Sequence, residues 1–139
     1  MVTFKGDYDK SKFYSLMGKF FAEKKYKKLM PYLYNSDDIV WTVETDKNNK
    51  NEVVGFIGYI EKENKINIVY CFVEDSFENK TKLENKLLNK VINKFNEFNI
   101  FIELEKNFNL ETYLNKKFVV YKESTNYWYL ERLKDNENI

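Results

Sequence analysis

The chain has 139 residues and contains no histidine, an absence that excludes more functions than any residue present. Without histidine there is no serine–histidine–aspartate triad, no cysteine–histidine pair and few of the usual zinc sites. Cysteine occurs once, so no disulfide forms within the chain, which is compatible with a reducing compartment. That residue, Cys71, lies in the apolar run IVYCFV, which predicts a buried strand position rather than a reactive thiol.

The sequence also lacks long apolar runs and a strong net charge. The first ten residues, MVTFKGDYDK, contain no apolar core of a signal peptide, and no stretch approaches the roughly 18 apolar residues of a membrane span. The formal net charge of +1 gives no general attraction to nucleic acid or to a membrane surface. We therefore expect a soluble, cytoplasmic protein without a membrane or nucleic-acid partner.

What is present predicts a packed globular domain. Hydrophobic residues make up 43% of the chain and aromatic residues 18%, and this length buries a core without metal or disulfides. We expect one domain over residues 1–139. Within it, residues 1–35 form a strand and two helices, 38–97 a strand meander and a long helix, 98–133 the closing strands and a short helix, and 134–139 a frayed tail.

Periodicity gives the order of the elements. Apolar residues from Phe13 to Phe21 recur at helical spacing after a cap at Asp7 or Asp9, and this helical region ends at Pro31. The segments IVWTVE, EVVGFIGYIEK and KINIVYCFVED, separated by short polar turns, predict an antiparallel meander. Gly55 and Gly58 within it indicate a close backbone approach or a bulge. A long amphipathic helix over 80–95, the strand NIFIELE, the short helix NLETYLNKK and the strands FVVYKE and TNYWYLERL follow.

Several segments, in this order, resemble the GNAT (Gcn5-related N-acetyltransferase) superfamily across residues 52–133. VVGFIGYIEK is similar to the family's third strand, and CFVEDSF to the end of its fourth, with Val73 at the apolar position and Phe77 at the aromatic one. The segment through NKKFVVYKE resembles the family's Y-x-x-x-G-F motif, with Tyr113 and Phe118 matching and Lys117 in the place of glycine. Asn107 lies one position from the family's asparagine.

The resemblance implies an α+β fold of three layers (α/β/α). Its central sheet is mixed but mostly antiparallel, with six or seven strands and about four helices, as in the GNAT acyl-CoA N-acyltransferases. It also implies a wedge between two diverging strands, with a helix N-terminus at its mouth receiving the diphosphate of acetyl-CoA. The contacts to acetyl-CoA implied in this way are, by residue, Phe72, Val73, Asn79, Lys80, Thr81, Lys82 and Asn107, with backbone donors near Val73, Lys80 and Thr81 foremost.

The family's phosphate loop, Q/R-x-x-G-x-G/A, is degenerate here. Asn79, Lys82 and Glu84 align with its arginine and its two glycines, so neither glycine is present. Glycine serves in such loops because the backbone must approach phosphate without an intervening Cβ. The run Thr81-Lys82-Leu83-Glu84 also reads as a capping box, in which Glu84 competes with phosphate for the helix donors. Lys80 and Lys82 can compensate by binding the phosphate through their side chains, at the cost of ordering two flexible stems; the sequence leaves both outcomes open.

The catalytic residues implied are Tyr113, as the acid that protonates the departing thiolate, and Glu103, as the base. Tyr113 matches the family position, although packing explains an aromatic residue on an amphipathic helix equally well. Glu103 lies in an otherwise apolar strand, where a carboxylate can have a raised pKa, and it is preferred to Glu74 at a strand end. The alternative is that Glu103 and Glu105 share a solvent face by strand alternation.

The leading hypothesis is an acetyl-CoA-dependent N-acetyltransferase that acts on an unidentified primary amine, without a metal. The first alternative is a GNAT-fold protein that has lost cofactor binding and serves as an interaction or regulatory module. The second is an unrelated α+β binding domain. Exposed edge strands allow a homodimer. The acidic region 36–75 is weak support for a cationic acceptor.

Overall fold

A computed structural model of the chain describes residues 1–135, and its elements follow the order predicted from the sequence. The elements are β1 (Val2–Phe4), α1 (Lys10–Ala22), α2 (Lys24–Leu29), β2 (Val40–Thr45), β3 (Val53–Lys62), β4 (Lys65–Val73), α3 (Lys80–Lys94), β5 (Asn99–Glu105), α4 (Leu110–Leu114), β6 (Val119–Glu123) and β7 (Tyr127–Arg132).

The strands form one seven-stranded sheet in the order β1-β2-β3-β4-β5-β7-β6. Neighbouring strands are antiparallel except for β4 and β5, which are parallel and connected through α3. The predicted meander corresponds to β2, β3 and β4. The mixed, mostly antiparallel sheet and the four helices confirm the predicted fold class.

The first helix begins at its predicted cap. The Asp9 carboxylate accepts hydrogen bonds from the backbone N–H groups of Ser11 and Lys12, at 3.0 and 3.3 Å, which satisfies two donors of the first turn. A break at Glu23 separates α1 from α2, and α2 ends before Pro31. The predicted helical region is therefore two helices that share one boundary residue.

Two cores of different composition lie on opposite faces of the sheet. The core under α1 and α2 is largely aromatic, and the core under α3 and α4 is largely aliphatic. Helices on both faces give the predicted three layers. Cys71 is buried in the aliphatic core, as predicted. Representative members are Phe20, Trp41, Phe56 and Phe72 in the first core, and Leu87, Leu88, Val91 and Ile100 in the second.

The two glycines of β3 lie where a side chain has no room. A Cβ on Gly55 would lie 3.0 Å from the carbonyl oxygen of Phe72, and one on Gly58 would lie 2.5 Å from the ring of Trp41. The register of β3 against β4 shifts between Gly58 and Tyr59. The close approach and the bulge predicted for these glycines are both present.

The first two residues of the expected frayed tail, Lys134 and Asp135, form hydrogen bonds through their backbone N–H groups with the rest of the domain. The backbone N–H of Lys134 donates to the Asn99 side chain at 2.8 Å, and that of Asp135 donates to the Asn96 carbonyl at 3.0 Å. These two bonds hold Lys134 and Asp135 against the segment that leads into β5. The rest of the predicted tail, 136–139, lies outside the described residues. No helix within residues 1–135 has the length and apolar character needed to cross a bilayer.

Candidate functional site

The central feature of the site is a split between β4 and β5. The two strands pair from Lys65 opposite Asn99 to Ile68 opposite Ile102, and not beyond. Strand β4 continues to Val73 and β5 to Glu105, so their C-terminal ends diverge. The register shift of β3 against β4 bypasses Val69, at the point where the pairing ends, and a bulge there bends a strand away from its neighbour. The predicted divergence is present.

Strand alternation decides which backbone groups face the split. The N–H of Glu74 donates to the Val54 carbonyl at 2.9 Å, toward β3. Because the backbone groups of successive residues point to opposite edges of a strand, Phe72 also directs its N–H toward β3, whereas Cys71 and Val73 direct theirs into the split. The N–H of Val73, a predicted cofactor contact, therefore faces the split. Phe72, another predicted cofactor contact, does not offer its N–H to the split, because that group faces β3.

Side chains fill the space between the diverging strands. The remaining cavity is about 10 Å³ and is lined by Tyr70, Cys71, Glu105, Phe108 and Tyr113 among others. Phe108 packs against both cores, and its ring centroid lies 6.4 Å from that of Tyr70. A space of this size holds about one water molecule. An extended ligand between β4 and β5 therefore requires Phe108 to move.

Tyr113 lies on α4 at the base of this cavity. Its side chain is 3% exposed and makes an edge contact with Phe118, at 5.6 Å between ring centroids. Burial, together with nearby Cys71 and Glu84, raises the pKa of Tyr113 well above the ordinary value. The phenol therefore keeps its proton at neutral pH and is an available donor inside the split.

Two acidic residues of β5 differ in environment although they share one face of the strand. Glu103 is exposed, so the apolar surroundings predicted for it are wrong. Glu105 is 9% exposed and accepts a hydrogen bond of 2.5 Å from the Tyr70 hydroxyl across the split. Burial raises the pKa of Glu105, although the hydrogen bond from Tyr70 opposes that rise.

The Tyr70–Glu105 pair could not be inferred from the sequence pattern alone. Alternation placed Glu105 on the face of Glu103, but it did not reveal that Tyr70 from β4 reaches across to it. Burial and the neighbouring carboxylate raise the pKa of Tyr70, so its hydroxyl remains the donor. The weaker candidate base, Glu74, accepts a 2.6 Å hydrogen bond from the Tyr26 hydroxyl, and this bond ties α2 to the end of β4.

The N-terminus of α3 opens into a cavity of about 570 Å³. It is lined by Glu78, Asn79, Lys80, Thr81, Lys82 and Asn85, which include four of the predicted cofactor contacts. The helix begins at Lys80, and its cap residue Asn79 makes no side-chain hydrogen bond. The backbone donors of the first turn are therefore open to an anion.

The predicted capping box is wrong. Because α3 begins at Lys80, Thr81 lies inside the first turn and Glu84 comes too late in the helix to cap it. The Glu84 carboxylate lies instead near Cys71, Tyr113 and Lys116. Burial raises the pKa of Cys71 and of Tyr113 and lowers that of Lys116; the charge of Glu84 adds to the two rises and opposes the fall. The predicted competition between Glu84 and a phosphate is removed. The ammonium of Lys80, however, pairs with Asp75 of the preceding loop.

Asn107 lies away from this helix end. Its side-chain amide donates to the Leu29 carbonyl at 3.5 Å, at the C-terminus of α2. That contact ties the loop before α4 to the opposite face of the sheet. Lys117, which replaces the glycine of the family motif, has a φ of 72°. The backbone thus keeps the left-handed conformation that favours glycine.

A second and larger cavity lies on the α1/α2 side of the same strands. Its volume is about 630 Å³, and it extends from the β3–β4 hairpin to the split. Such a volume is typical of small-molecule sites. Its lining includes Tyr32, Tyr70, Glu103, Glu105, Tyr121 and Tyr127. We call this cavity the tyrosine groove. Through Tyr70 and Glu105 it meets the split.

Comparison with known proteins identifies the fold. No protein-family model matches the sequence, and no curated protein matches it. Solved structures do. ElaA from Escherichia coli is 14% identical with a TM-score of 0.68, covering 91% of this chain and 93% of that one. An acyl-CoA N-acyltransferase from Pseudomonas aeruginosa is 11% identical with a TM-score of 0.65, covering 95% and 99%. GCN5 from Tetrahymena is 13% identical with a TM-score of 0.63, covering 90% and 88%. The chain has the GNAT fold.

Proposed function

We propose that this chain, which has the fold of the GNAT acyltransferases, transfers an acetyl group from acetyl-CoA to a small primary amine. The observation that carries the proposal is the split between β4 and β5, with a protonated phenol on one side and a buried carboxylate on the other. Tyr113 faces the split from the aliphatic core, and Glu105 faces it from the tyrosine groove. A donor and an acceptor of protons thus lie on opposite sides of one opening, as acyl transfer to an amine requires.

Glu105, rather than Glu103, is the proposed base. A primary amine is an ammonium ion at neutral pH and must lose a proton before it can attack. The carboxylate oxygens of Glu105 lie at the inner end of the groove, and burial makes this carboxyl a stronger proton acceptor than an exposed one. The hydroxyl of Tyr70 holds the carboxylate in place at 2.5 Å.

The acyl donor has two proposed contacts within the chain. Backbone N–H groups of Cys71 and Val73 face the split and can hydrogen-bond a carbonyl oxygen there. The first turn of α3, with Lys80 and Lys82 beside it, can bind phosphate groups. When bound, an acyl thioester supplies the electrophilic carbonyl carbon. The hydroxyl of Tyr113 holds a proton within reach of the split, where it can be returned to the leaving group.

The test is a calorimetric titration with acetyl-CoA, in which a charge-reversal variant is compared with a matched control. Lys82→Glu places a carboxylate in the cavity at the first turn of α3, and Lys94→Glu makes the same change in its last turn. A carboxylate at the N-terminus stabilises a helix, whereas one at the C-terminus does not. Weaker binding by Lys82→Glu alone therefore cannot come from lost folding. We expect Lys82→Glu to lower the affinity for acetyl-CoA about tenfold or more, by analogy with charge-assisted contacts. The affinity of Lys94→Glu should equal that of the wild type.

Binding that is absent at millimolar acetyl-CoA, in protein shown to be folded, rejects the proposal. Equal effects of the two substitutions reject the phosphate contact at α3. The first result favours the alternative, a GNAT-fold module that no longer binds the cofactor and acts by interaction. That alternative has specific support: Phe108 fills the split, and Lys80 is already paired with Asp75 in a loop that also carries Glu78.

A further inference from the structure

The tyrosine groove carries two carboxylates on one strand face and rings on both sides of them. Glu103 and Glu105 are two residues apart on β5, and both line the groove. Residues in this relation are separated by about 7 Å along a strand. Glu105 is buried at the split, and Glu103 is exposed in the more open part of the groove.

Charge in this part of the groove is unbalanced. Neither carboxylate forms an ion pair with another group in residues 1–135. The basic residues of the groove, Lys62 and Lys65, lie at the β3–β4 hairpin, and Lys65 is opposite Asn99. That level is four residues from Glu103 along β5, although the Lys65 ammonium extends to 5.8 Å from the ring centroid of Phe101. Lys65 and Lys122 come near this part of the groove, but neither forms an ion pair with Glu103 or Glu105.

Aromatic faces line the path beside these carboxylates. The ring centroids of Tyr32 and Tyr127 are 6.2 Å apart, those of Tyr127 and Tyr129 are 6.3 Å apart, and those of Tyr129 and Tyr121 are 6.4 Å apart. Tyr32, Tyr121 and Tyr127 line the groove, and Tyr129 connects them from outside it with the Lys122 ammonium 5.0 Å from its ring centroid. A tyrosine face attracts a cation in this way. Both carboxylates lie close enough to Tyr127 to contribute, after burial, to raising the pKa of its phenol.

We propose that the groove selects a linear diamine, with the reacting nitrogen at Glu105 and the second ammonium at Glu103 between the tyrosine rings. The spacing of the two carboxylates sets the spacing of the two charges, and the rings contact the hydrocarbon chain and the distal cation. A monoamine of equal length forms only half of these contacts. This inference rests on the proposed acyl transfer for the role of Glu105, but the selection itself is a property of binding.

The test compares cadaverine with pentylamine, which has the same carbon chain and one ammonium group. Binding to the protein alone is followed by NMR titration without any thioester, so failure of the groove and failure of acyl transfer are distinguishable. An exposed ion pair together with a cation–π contact predicts about a tenfold preference for cadaverine at low salt. That preference should shrink as salt screens the pair at Glu103.

Glu103→Gln removes the distal charge with little change in shape, and its exposed position leaves the fold intact. We expect the preference for cadaverine to fall to about threefold or less, because only the ring contacts remain. Glu97→Gln is the matched control. It makes the same change at an exposed residue between α3 and β5, outside the groove, and should retain the full preference. A wild-type preference below about twofold, or a preference that survives Glu103→Gln unchanged, overturns the proposal.

Discussion

Strands β4 and β5 have two halves that differ in what their residues do. In the first half, from Lys65 to Ile68 and from Asn99 to Ile102, the strands pair and their inward side chains fill the aliphatic core. In the second half the strands diverge, and the residues facing the gap are Tyr70, Glu105, Phe108 and Tyr113. One pair of strands thus supplies a structural half and a candidate catalytic half.

The difference shows how a sheet can create a site without a loop. Pairing satisfies backbone donors and acceptors, so the paired half has none to offer a ligand. Divergence after Ile68 releases the N–H groups of Cys71 and Val73 and opens space for side chains from α4 and its preceding loop. Substitutions in the two halves should therefore change different properties: stability in the first and chemistry in the second.

The largest effect expected is on the diverging half, from Glu105→Gln. Glutamine has the shape of glutamate and can still accept the hydrogen bond from Tyr70, but it cannot take a proton from an amine. We expect kcat for acetyl transfer to fall about 100- to 10,000-fold, the usual contribution of a general base. Steady-state rates of thiol release with a primary amine measure it. A fall below about tenfold would show that Glu105 is not the base.

The paired half should respond in the opposite way. Ile66 is fully buried and pairs with Ile100 inside the aliphatic core. Ile66→Ala leaves a cavity, and we expect it to lower the free energy of unfolding by about 2–5 kcal/mol while kcat at a temperature where the protein is folded changes little. Urea denaturation gives the first value and the transfer assay the second. Comparable losses of stability from Ile66→Ala and Glu105→Gln would remove the distinction between the halves.

A smaller effect is expected where Phe108 fills the gap. If acetyl-CoA binds only when this ring has left the gap, the conformation that binds is a minor one. Such minor conformations are populated at roughly 0.1–10%. Phe108→Ala should then raise the affinity for acetyl-CoA about tenfold or more in calorimetry. Phe98→Ala is the control, because Phe98 is also partly buried against the aliphatic core but does not line the gap. Unchanged affinity in Phe108→Ala would show that the ring does not limit binding.

Much of the fold was predictable because local signals agreed with one another. Glu63 and Asn64 have φ of 53° and 62° and form the tight turn predicted between β3 and β4. Short polar turns and apolar periodicity placed the remaining elements in the same way. Lys117 shows that comparing residue types alone can mislead. It stands where the family motif has glycine, yet its backbone has the left-handed conformation that glycine favours. The conformation is retained where the expected residue is absent.

The site was less predictable because its contacts join residues distant in sequence. Periodicity did not reveal that Tyr70 reaches Glu105, and the exposed Glu103 was therefore preferred as the base. Helix α3 begins at Lys80, so the expected cap, Thr81, is part of the first turn and Asn79 is the cap residue. Helix ends are the least determined part of a sequence-based assignment. Here the different cap removes the predicted competition between Glu84 and a phosphate.

The smallest effect expected is a change in pH dependence from Tyr70→Phe. The hydrogen bond from Tyr70 favours the ionised form of Glu105 and lowers its pKa, against the rise caused by burial. Without it the pKa of Glu105 rises further, so a higher pH is needed to ionise the base. The acidic limb of the kcat/KM profile should therefore move to higher pH, with little change at the plateau. Plateau activity that falls without a shift of the limb would assign Tyr70 a role other than tuning Glu105.

Stability gives an independent measure of the same linkage. A carboxyl whose folded pKa lies above its unfolded pKa stabilises the fold below the unfolded value, and this contribution is lost as the pH rises through the folded value. Because Tyr70→Phe raises the folded pKa of Glu105 further, the variant should lose more stability than the wild type as the pH rises through this range. Urea denaturation at several pH values measures the difference. A constant difference between the two proteins across that range would mean that the hydrogen bond does not affect the ionisation of Glu105, and the diverging half would then lose its proposed control over the base.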